Sequence, residues 1–363
     1  MVPIFIASNR SHTGKTFLAL GLAQKLIELG HKVGYLKPLG KTPVKKGGDL
    51  FDADAIFIRE SLELPDPLKV ISPFVISYEM QHLIFEGKPQ DIKKQIMDAF
   101  KAQKDKDFII IGGAGDFFEG STLGIDGVSL IEETGAQVIM VEAWRGDKSI
   151  DTLYGGHKLL GERFIGGIFN KVPANSFSHV KGQAAPFLEK SGVAILGIFE
   201  KDNLLGSISI QQIVEILNGK VLCCEEKLDE LVEHFSIGAM DVNSALRYFS
   251  RIPNKAVITG AHRSDIQLVA METSTKCIII TGGLSTNDVV LGKAQSKGIP
   301  IVSVPLDTFT VVDRIEAVAG KTDIRQPGKK LRIRELFDTR FDTNRLLKLL
   351  LTAKGKEQMA KEG

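Results

Sequence analysis

At 363 residues the chain has room for two domains, each able to bury its own core. Lys and Arg number 46 against 44 Asp and Glu, so a net charge of +2 supplies no broad positive field to recruit nucleic acid. No stretch approaches the roughly 18 uninterrupted apolar residues of a membrane-spanning helix, and 43% hydrophobic content is ordinary for a soluble globular protein.

The first ten residues, MVPIFIASNR, lack a basic leader, and their apolar run is too short for a signal-peptide core. They read as a first strand, Pro3–Ala7. Further strands are expected at Lys32–Leu36, Asp107–Gly112, Gln137–Val141, Phe164–Phe169 and Ala194–Phe199, with helices at Phe17–Leu29, Asp91–Gln103 and Ser149–Leu160 between them. That alternation predicts a mostly parallel α/β sheet. Runs such as FIII and VIMV are apolar on consecutive positions, so helices should cover both faces. This first domain is placed at residues 1–203. Beyond it, SISIQQIVEILNG reads as a helix with a Gly stop and KVLCCEE as a strand. NKAVITG, KCIIITGG and IPIVSVP are three more strands, interleaved with helices at Ser264–Glu272, Asn287–Ser296 and Phe309–Ala319. Together they make a smaller α/β domain, 204–322. The remainder, 323–363, turns charged, with an apolar stripe near Leu346 to Leu351, and reads as a tail of one or two surface or docking helices. Cys223, Cys224 and Cys277 cannot all pair and lack a C-x-x-C spacing, which suits a reduced, cytoplasmic chain.

The main chemical signal is IFIASNRSHTGKTFLALGLAQKL, residues 4–26. A strand reaches a polar loop that closes on Gly14-Lys15-Thr16 and opens a helix, where backbone N–H groups and the helix dipole converge on an anion. The loop Asn9, Arg10, Ser11, His12, Thr13, Gly14, Lys15, Thr16 and Phe17 is assigned to a nucleotide's phosphates. Gly14 lets the backbone approach, Lys15 reaches the β- and γ-phosphates, and the Thr16 hydroxyl ligates Mg²⁺. The strict pattern G-x-x-x-x-G-K-[ST] has glycine at position 9, where this chain has Asn9. Asn enters left-handed conformations more readily than most residues. Arg10 either reaches phosphate, its own or a dimer partner's, or is a solvated loop residue. The bland alternative is a loop that merely caps a helix through Thr13.

The stretches IASNRSHTGKT, GHKVGYLKPLG, DADA, IIIGGAGDFF and GGIFNKVP run in the order found in dethiobiotin synthetase and its relatives. Those relatives include the N-terminal domain of long phosphate acetyltransferases and the amidating cobyrinate synthases. GAHRSDIQLVAME followed by IIITGG resembles the DRTGG domain, which sits after such an NTPase domain in phosphate acetyltransferases. The resemblance implies a P-loop NTPase fold, ATP with Mg²⁺ as cofactors, and a homodimer across the NTPase face. Lys37, in LKP, matches a lysine placed near the phosphates and the reacting carboxylate. Asp54 matches a Mg²⁺ ligand, with Asp52 its near rival. Relatives keep a glutamate, in V-E-G-x-G, where this chain has Gly112; Asp116 or Glu119, along the same loop, is expected to reach the metal instead. Asn170, in IFNKVP, matches the asparagine that reads the adenine edge, and the missing aspartate of N-K-x-D favours ATP over GTP. Ser11 and His12 occupy positions that contact substrate in dethiobiotin synthetase.

In the second domain Arg263, Ser264 and Asp265 follow one strand, and Thr281, Gly282 and Gly283 follow the next. These adjacent strand ends either hold a phosphate or nucleotide, or cap a helix with Ser264 as N-cap and Asp265 in the first turn. Resemblance to the regulatory DRTGG domain implies ligand sensing there, for a small molecule the sequence does not name. Three functions follow: an ATPase switch coupled to ligand sensing, an ATP-dependent ligase that activates a carboxylate, or a binding module without catalysis. Nothing after residue 320 resembles an acetyltransferase catalytic domain, so acetyl phosphate chemistry is not expected.

Overall fold

The computed structural model describes residues 1–86, 91–319 and 327–362. Two compact units emerge, Met1–Lys201 with Ile324–Gly363, and Asp202–Asp323. The boundary expected at 322 lies outside the described residues.

The first unit is built on six parallel strands: β1 (Val2–Ala7), β2 (Val33–Leu36), β3 (Phe108–Gly112), β4 (Gln137–Ala143), β5 (Phe164–Val172) and β6 (Ile195–Glu200). Their order across the sheet is β2-β3-β1-β4-β5-β6, and each neighbouring pair is parallel. The consecutive apolar runs have the expected consequence: β2, β3 and β4 are buried along their whole length. Helix α1 (Lys15–Glu28) follows β1, α2 (Ala53–Ser61) lies between β2 and β3, and α3 (Lys148–Leu160) follows β4. Chain connections leave β1 and β4 in opposite directions across the sheet, so the switch-point crevice, where open α/β sheets bind ligands, lies between their C-terminal ends. Sequence reading missed a hairpin, Pro43–Lys46 with Asp49–Asp52. Its turn uses Gly47 and Gly48 at φ 62° and 92°, the sign that two-residue hairpin turns favour.

The second unit has a five-stranded sheet, β7 (Lys220–Cys223), β8 (His234–Ile237), β9 (Lys255–Gly260), β10 (Thr275–Thr281) and β11 (Ile301–Ser303), ordered β7-β11-β10-β9-β8, beside a short antiparallel pair, Ile208–Ser209 with Leu231–Val232. Within the sheet only the edge strand β7 runs antiparallel to its neighbour. Helices α4 (Ser264–Met271), α5 (Asp288–Lys297) and α6 (Thr308–Ala319) connect and flank them.

The segment read as one or two surface or docking helices forms α7 (Pro327–Arg340) and α8 (Thr343–Glu362), and these pack into the first unit. Phe337 is 2% exposed, with its ring centroid 5.3 Å from those of Phe17 and Phe199 and 5.0 Å from that of Phe341. Arg345 grips Glu189 with two nitrogens, at 2.6 and 2.5 Å. The charged sequence KKLRIRELFDTR conceals this because Ile333 and Phe337, four residues apart, share a buried stripe beside the exposed Arg334, Glu335 and Asp338. Among the described residues no helix is long and apolar enough to cross a membrane.

Candidate functional site

Gly14 is the N-cap of α1 with φ 109° and ψ 26°, and it caps without a side chain. That conformation suits glycine alone, and a β-carbon there would lie 2.1 Å from Asn170 Nδ2. The first intrahelical bond runs from the Leu18 amide to Gly14 O at 2.9 Å. The amides of Lys15, Thr16 and Phe17 therefore stand outside the helix's own ladder, at the positive end of its dipole. The Phe17 side chain takes no part: it is buried against Phe199 and Phe337, so only its amide serves the loop. The non-glycine left-handed residue of the loop is His12, φ 59°, and not Asn9, which keeps negative φ and donates to Thr152 Oγ1 at 3.4 Å.

Lys15 Nζ arches back over the loop and donates to Ser8 Oγ at 2.7 Å, Gly115 O at 2.8 Å and Arg10 O at 3.1 Å. Burial, reinforced by the neighbouring Lys37 ammonium, pushes its pKa from 10.5 down to about 7. Lys37 is itself buried and donates to Gly113 O at 3.0 Å. Two ammonium groups thus flank the loop that follows β3.

The structure separates the two rival aspartates. Asp52 is the N-cap of α2: its Oδ1 accepts the Asp54 and Ala55 amides at 3.0 and 3.3 Å, and its Oδ2 the Lys41 and Thr42 amides at 2.8 and 3.0 Å. Four backbone donors occupy that carboxylate. Asp54 instead turns to the phosphate loop, where its Oδ2 accepts the Thr16 hydroxyl at 2.9 Å. A hydroxyl and a carboxylate side by side at the N-terminus of α1 are hard oxygen donors of the kind Mg²⁺ takes beside phosphate oxygens. Asp116 does not join them, because its exposed carboxylate accepts the Phe118 and Glu119 amides of its own turn. Glu119 is the acid of that loop that folds inward, onto the Gly115 amide and Lys41.

At Gly112 a β-carbon would lie 2.4 Å from the hydroxyl oxygen of Tyr35. The Tyr35 phenol, 1% exposed, fills from strand β2 the space that a side chain at 112 would need. Burial, with the Asp54 and Asp52 charges adding to it, pushes its pKa well above the usual range, so it sits there as a neutral hydroxyl.

Asn170, at the end of β5, braces the loop: its Nδ2 donates to Thr13 O at 2.8 Å and its Oδ1 accepts the Lys171 amide at 2.9 Å. A primary amide has one more N–H and one more lone pair, enough for a base edge. Arg10 reaches away from the loop, with Nη2 2.8 Å from Ala143 O and 3.7 Å from Glu142 Oε1. Glu142 went unnoticed in the sequence because it reads as the last polar residue of a strand. It is fully buried and also accepts Arg145 at 3.0 Å. Ser11 and His12 are exposed on the loop.

In the second unit Arg263 occupies the N-cap position of α4 without a side-chain cap bond, and Ser264 is the first helical residue, so of the two alternatives for Ser264 the N-cap is not made. Arg263 forks onto Asp265 at 3.0 and 3.1 Å and donates to Met240 O at 2.7 Å. Ser264 Oγ accepts Asn287 Nδ2 at 2.9 Å, and Thr281 Oγ1 lies 3.3 Å from Thr308 Oγ1. Gly282 and Gly283 carry the turn after β10 with positive φ. Sequence reading missed Gln267, which is fully buried and ties Gly260 O to Thr286.

Comparison with known proteins agrees with this division. Residues 3–209 match the model of an AAA domain, and residues 212–318 match that of the DRTGG domain. The phosphate acetyltransferase of Synechocystis sp. is 23% identical across 97% of this chain and 52% of its own length. An ATP-dependent dethiobiotin synthetase of Methanocaldococcus jannaschii is 33% identical over 119 residues, 31% of this chain and 52% of that protein. The chain spans about half the length of the curated relatives it matches. Among solved structures, the cell division protein MinD of Aquifex aeolicus covers 56% of this chain with 84% of its own, at 18% identity and a TM-score of 0.33. The CBS and DRTGG domains of Clostridium perfringens pyrophosphatase, solved with diadenosine tetraphosphate, cover 32% of this chain with 48% of theirs, at 21% identity and a TM-score of 0.27. With more than half its length matched by one model, the chain belongs to the AAA domain family of P-loop proteins, and a DRTGG domain follows that P-loop domain.

Proposed function

We propose that the first unit binds ATP with Mg²⁺ and hydrolyses it, and that its nucleotide state is coupled to a small-molecule ligand of the DRTGG domain, in the control of acyl or acetyl metabolism. The observation that carries this reading is the 2.9 Å pair of Thr16 Oγ1 and Asp54 Oδ2 at the N-terminus of α1, beside the folded-back Lys15. The amides of Lys15, Thr16 and Phe17, with the Lys15 ammonium, bind phosphate oxygens. Thr16 and Asp54 hold the magnesium ion, which when bound neutralises charge on the β- and γ-phosphate oxygens. Asn170 fixes the loop through Thr13 O and offers its remaining amide valences to the base. If ATP and the second ligand are linked, each alters the other's affinity by the same factor.

ATP titration of the full chain with and without Mg²⁺ tests the reading. Lys15→Ala is expected to weaken binding by about 100-fold, as befits loss of a charge-assisted contact; wild-type affinity in that variant would sink the assignment. The buried Lys37, next to Lys15, favours a second reading, ligation through an activated carboxylate. Steady hydrolysis without added substrate supports the switch, whereas turnover that appears only with an added amine or carboxylate supports the ligase.

A further inference from the structure

The loop after β3 folds one of its own carboxylates back against the phosphate loop. Glu119 accepts the Gly115 amide with Oε2 and pairs with the Lys41 ammonium through Oε1. A methyl group on Gly115 would lie 2.3 Å from Glu119 Oε2 and 2.8 Å from Ser11 Oγ, so the carboxylate rests beside the phosphate loop itself. The other face of the same residue, Gly115 O, holds Lys15. Lys41 thus pairs with the carboxylate, and the charges of Lys37, Glu119 and Lys41 all act on Lys15. Asp116, whose Oδ1 accepts the amides of Phe118 and Glu119, adds a smaller opposing charge on Lys15.

A backbone N–H paired with a lysine ammonium is a way to hold an oxyanion. Here the oxyanion is supplied by the chain. The side chains of Glu119 and Lys41 are 28% and 45% exposed, so solvent and solutes reach the pair. An exposed ion pair of this kind is weakly held and exchangeable.

We propose that the Gly115 amide and Lys41 form an oxyanion subsite beside the phosphate loop, which Glu119 fills as a built-in stand-in and yields to a carboxylate or phosphoryl oxygen of a second ligand. This rests on the nucleotide reading for its neighbour, and the two are separable: that reading stands on ATP binding by Lys15→Ala, the subsite on Glu119 and small anions. The full chain is titrated with inorganic phosphate and, separately, with acetate, followed by calorimetry or chemical-shift changes. Glu119→Gln is expected to tighten binding of at least one probe about tenfold, the size of one lost charge-assisted competitor. Lys41→Met in the Glu119→Gln background is expected to reverse the gain. A response to phosphate alone identifies a phosphoryl ligand; a response to acetate alone identifies a carboxylate. Unchanged or weaker binding of both probes by Glu119→Gln overturns the subsite. Should that variant misfold, Lys41→Met alone is expected to weaken the probe that the wild-type chain binds better, and unaltered binding overturns the proposal equally.

Discussion

Phe337→Ala removes the ring that joins α7 to the nucleotide helix. The side chain is 2% exposed and meets Phe17, Phe199 and Phe341 at centroid distances of 5.0 to 5.3 Å. An aromatic of this kind buries roughly 150–250 Å², which at about 25 cal/mol per Å² corresponds to ~4–6 kcal/mol. A denatured chain that already hides part of that surface lowers the figure, and measured Phe→Ala losses in cores run about 3–5 kcal/mol. For a unit of this size each kcal/mol moves the melting temperature by about 2–4 °C, so a drop of roughly 6–20 °C is expected. Trp144, the only tryptophan, lies in the first unit and reports its unfolding without signal from the second. Phe337→Leu keeps much of the packing and should lose less than half as much. A loss below about 1 kcal/mol for Phe337→Ala would show that α7 is an attachment to the unit and not part of its core.

Three further outcomes are expected. Asp52→Ala should cost about 2–3 kcal/mol in urea unfolding, from a lost cap and two loop amides, with the Mg²⁺ dependence of ATP binding kept; Asp54→Ala should do the reverse, and an exchange of these patterns refutes their separation. Because Lys15 titrates near 7 in the structure and a bound triphosphate restores its charge, ATP binding should take up about one proton at pH 8 and almost none at pH 6. Affinity then falls as pH rises above 7, and calorimetry in buffers of different ionisation enthalpy that finds no uptake at pH 8 rules this out. Lys255 is fully buried beside the carbonyls of Ile252 and Ser274, and burial pushes it from 10.5 to about 8. Between pH 8 and 10.5 the unfolded chain keeps a proton that the folded chain has released, so Lys255 should make the second unit more stable with rising pH over that window. Lys255→Met should flatten this slope, and a slope equal to wild type contradicts the assignment.

How much of this was legible in the sequence depends on what each residue reports. β2 to β4 announced themselves because strands covered on both faces leave no polar alternation to confuse the reading. Gly14, Lys15 and Thr16 were readable because their role is local, set by a strand, a turn and a helix start. Asp52 and Asp54 are two residues apart in sequence, and only the four amides around Asp52 tell them apart. Tyr35 reads as an ordinary strand aromatic until its hydroxyl is found against Gly112. Phe337 sits among Lys, Arg, Glu and Asp, so composition pointed to solvent while a four-residue spacing pointed to the core. For Tyr35 and Phe337 the deciding partner lies far along the chain.

The aromatic cluster also fixes an order of events during synthesis. Phe17 and Phe199 leave the ribosome early, and the ring that covers them, Phe337, emerges only after all of Asp202–Asp323. Throughout that interval the nascent first unit presents an uncovered aromatic face behind its phosphate loop, while the second unit already has every residue it needs to fold. The aromatic face under α1 is thereby covered only after the second unit has been synthesised, and a chain released before residue 337 carries the GKT motif on a unit that lacks one ring of its core.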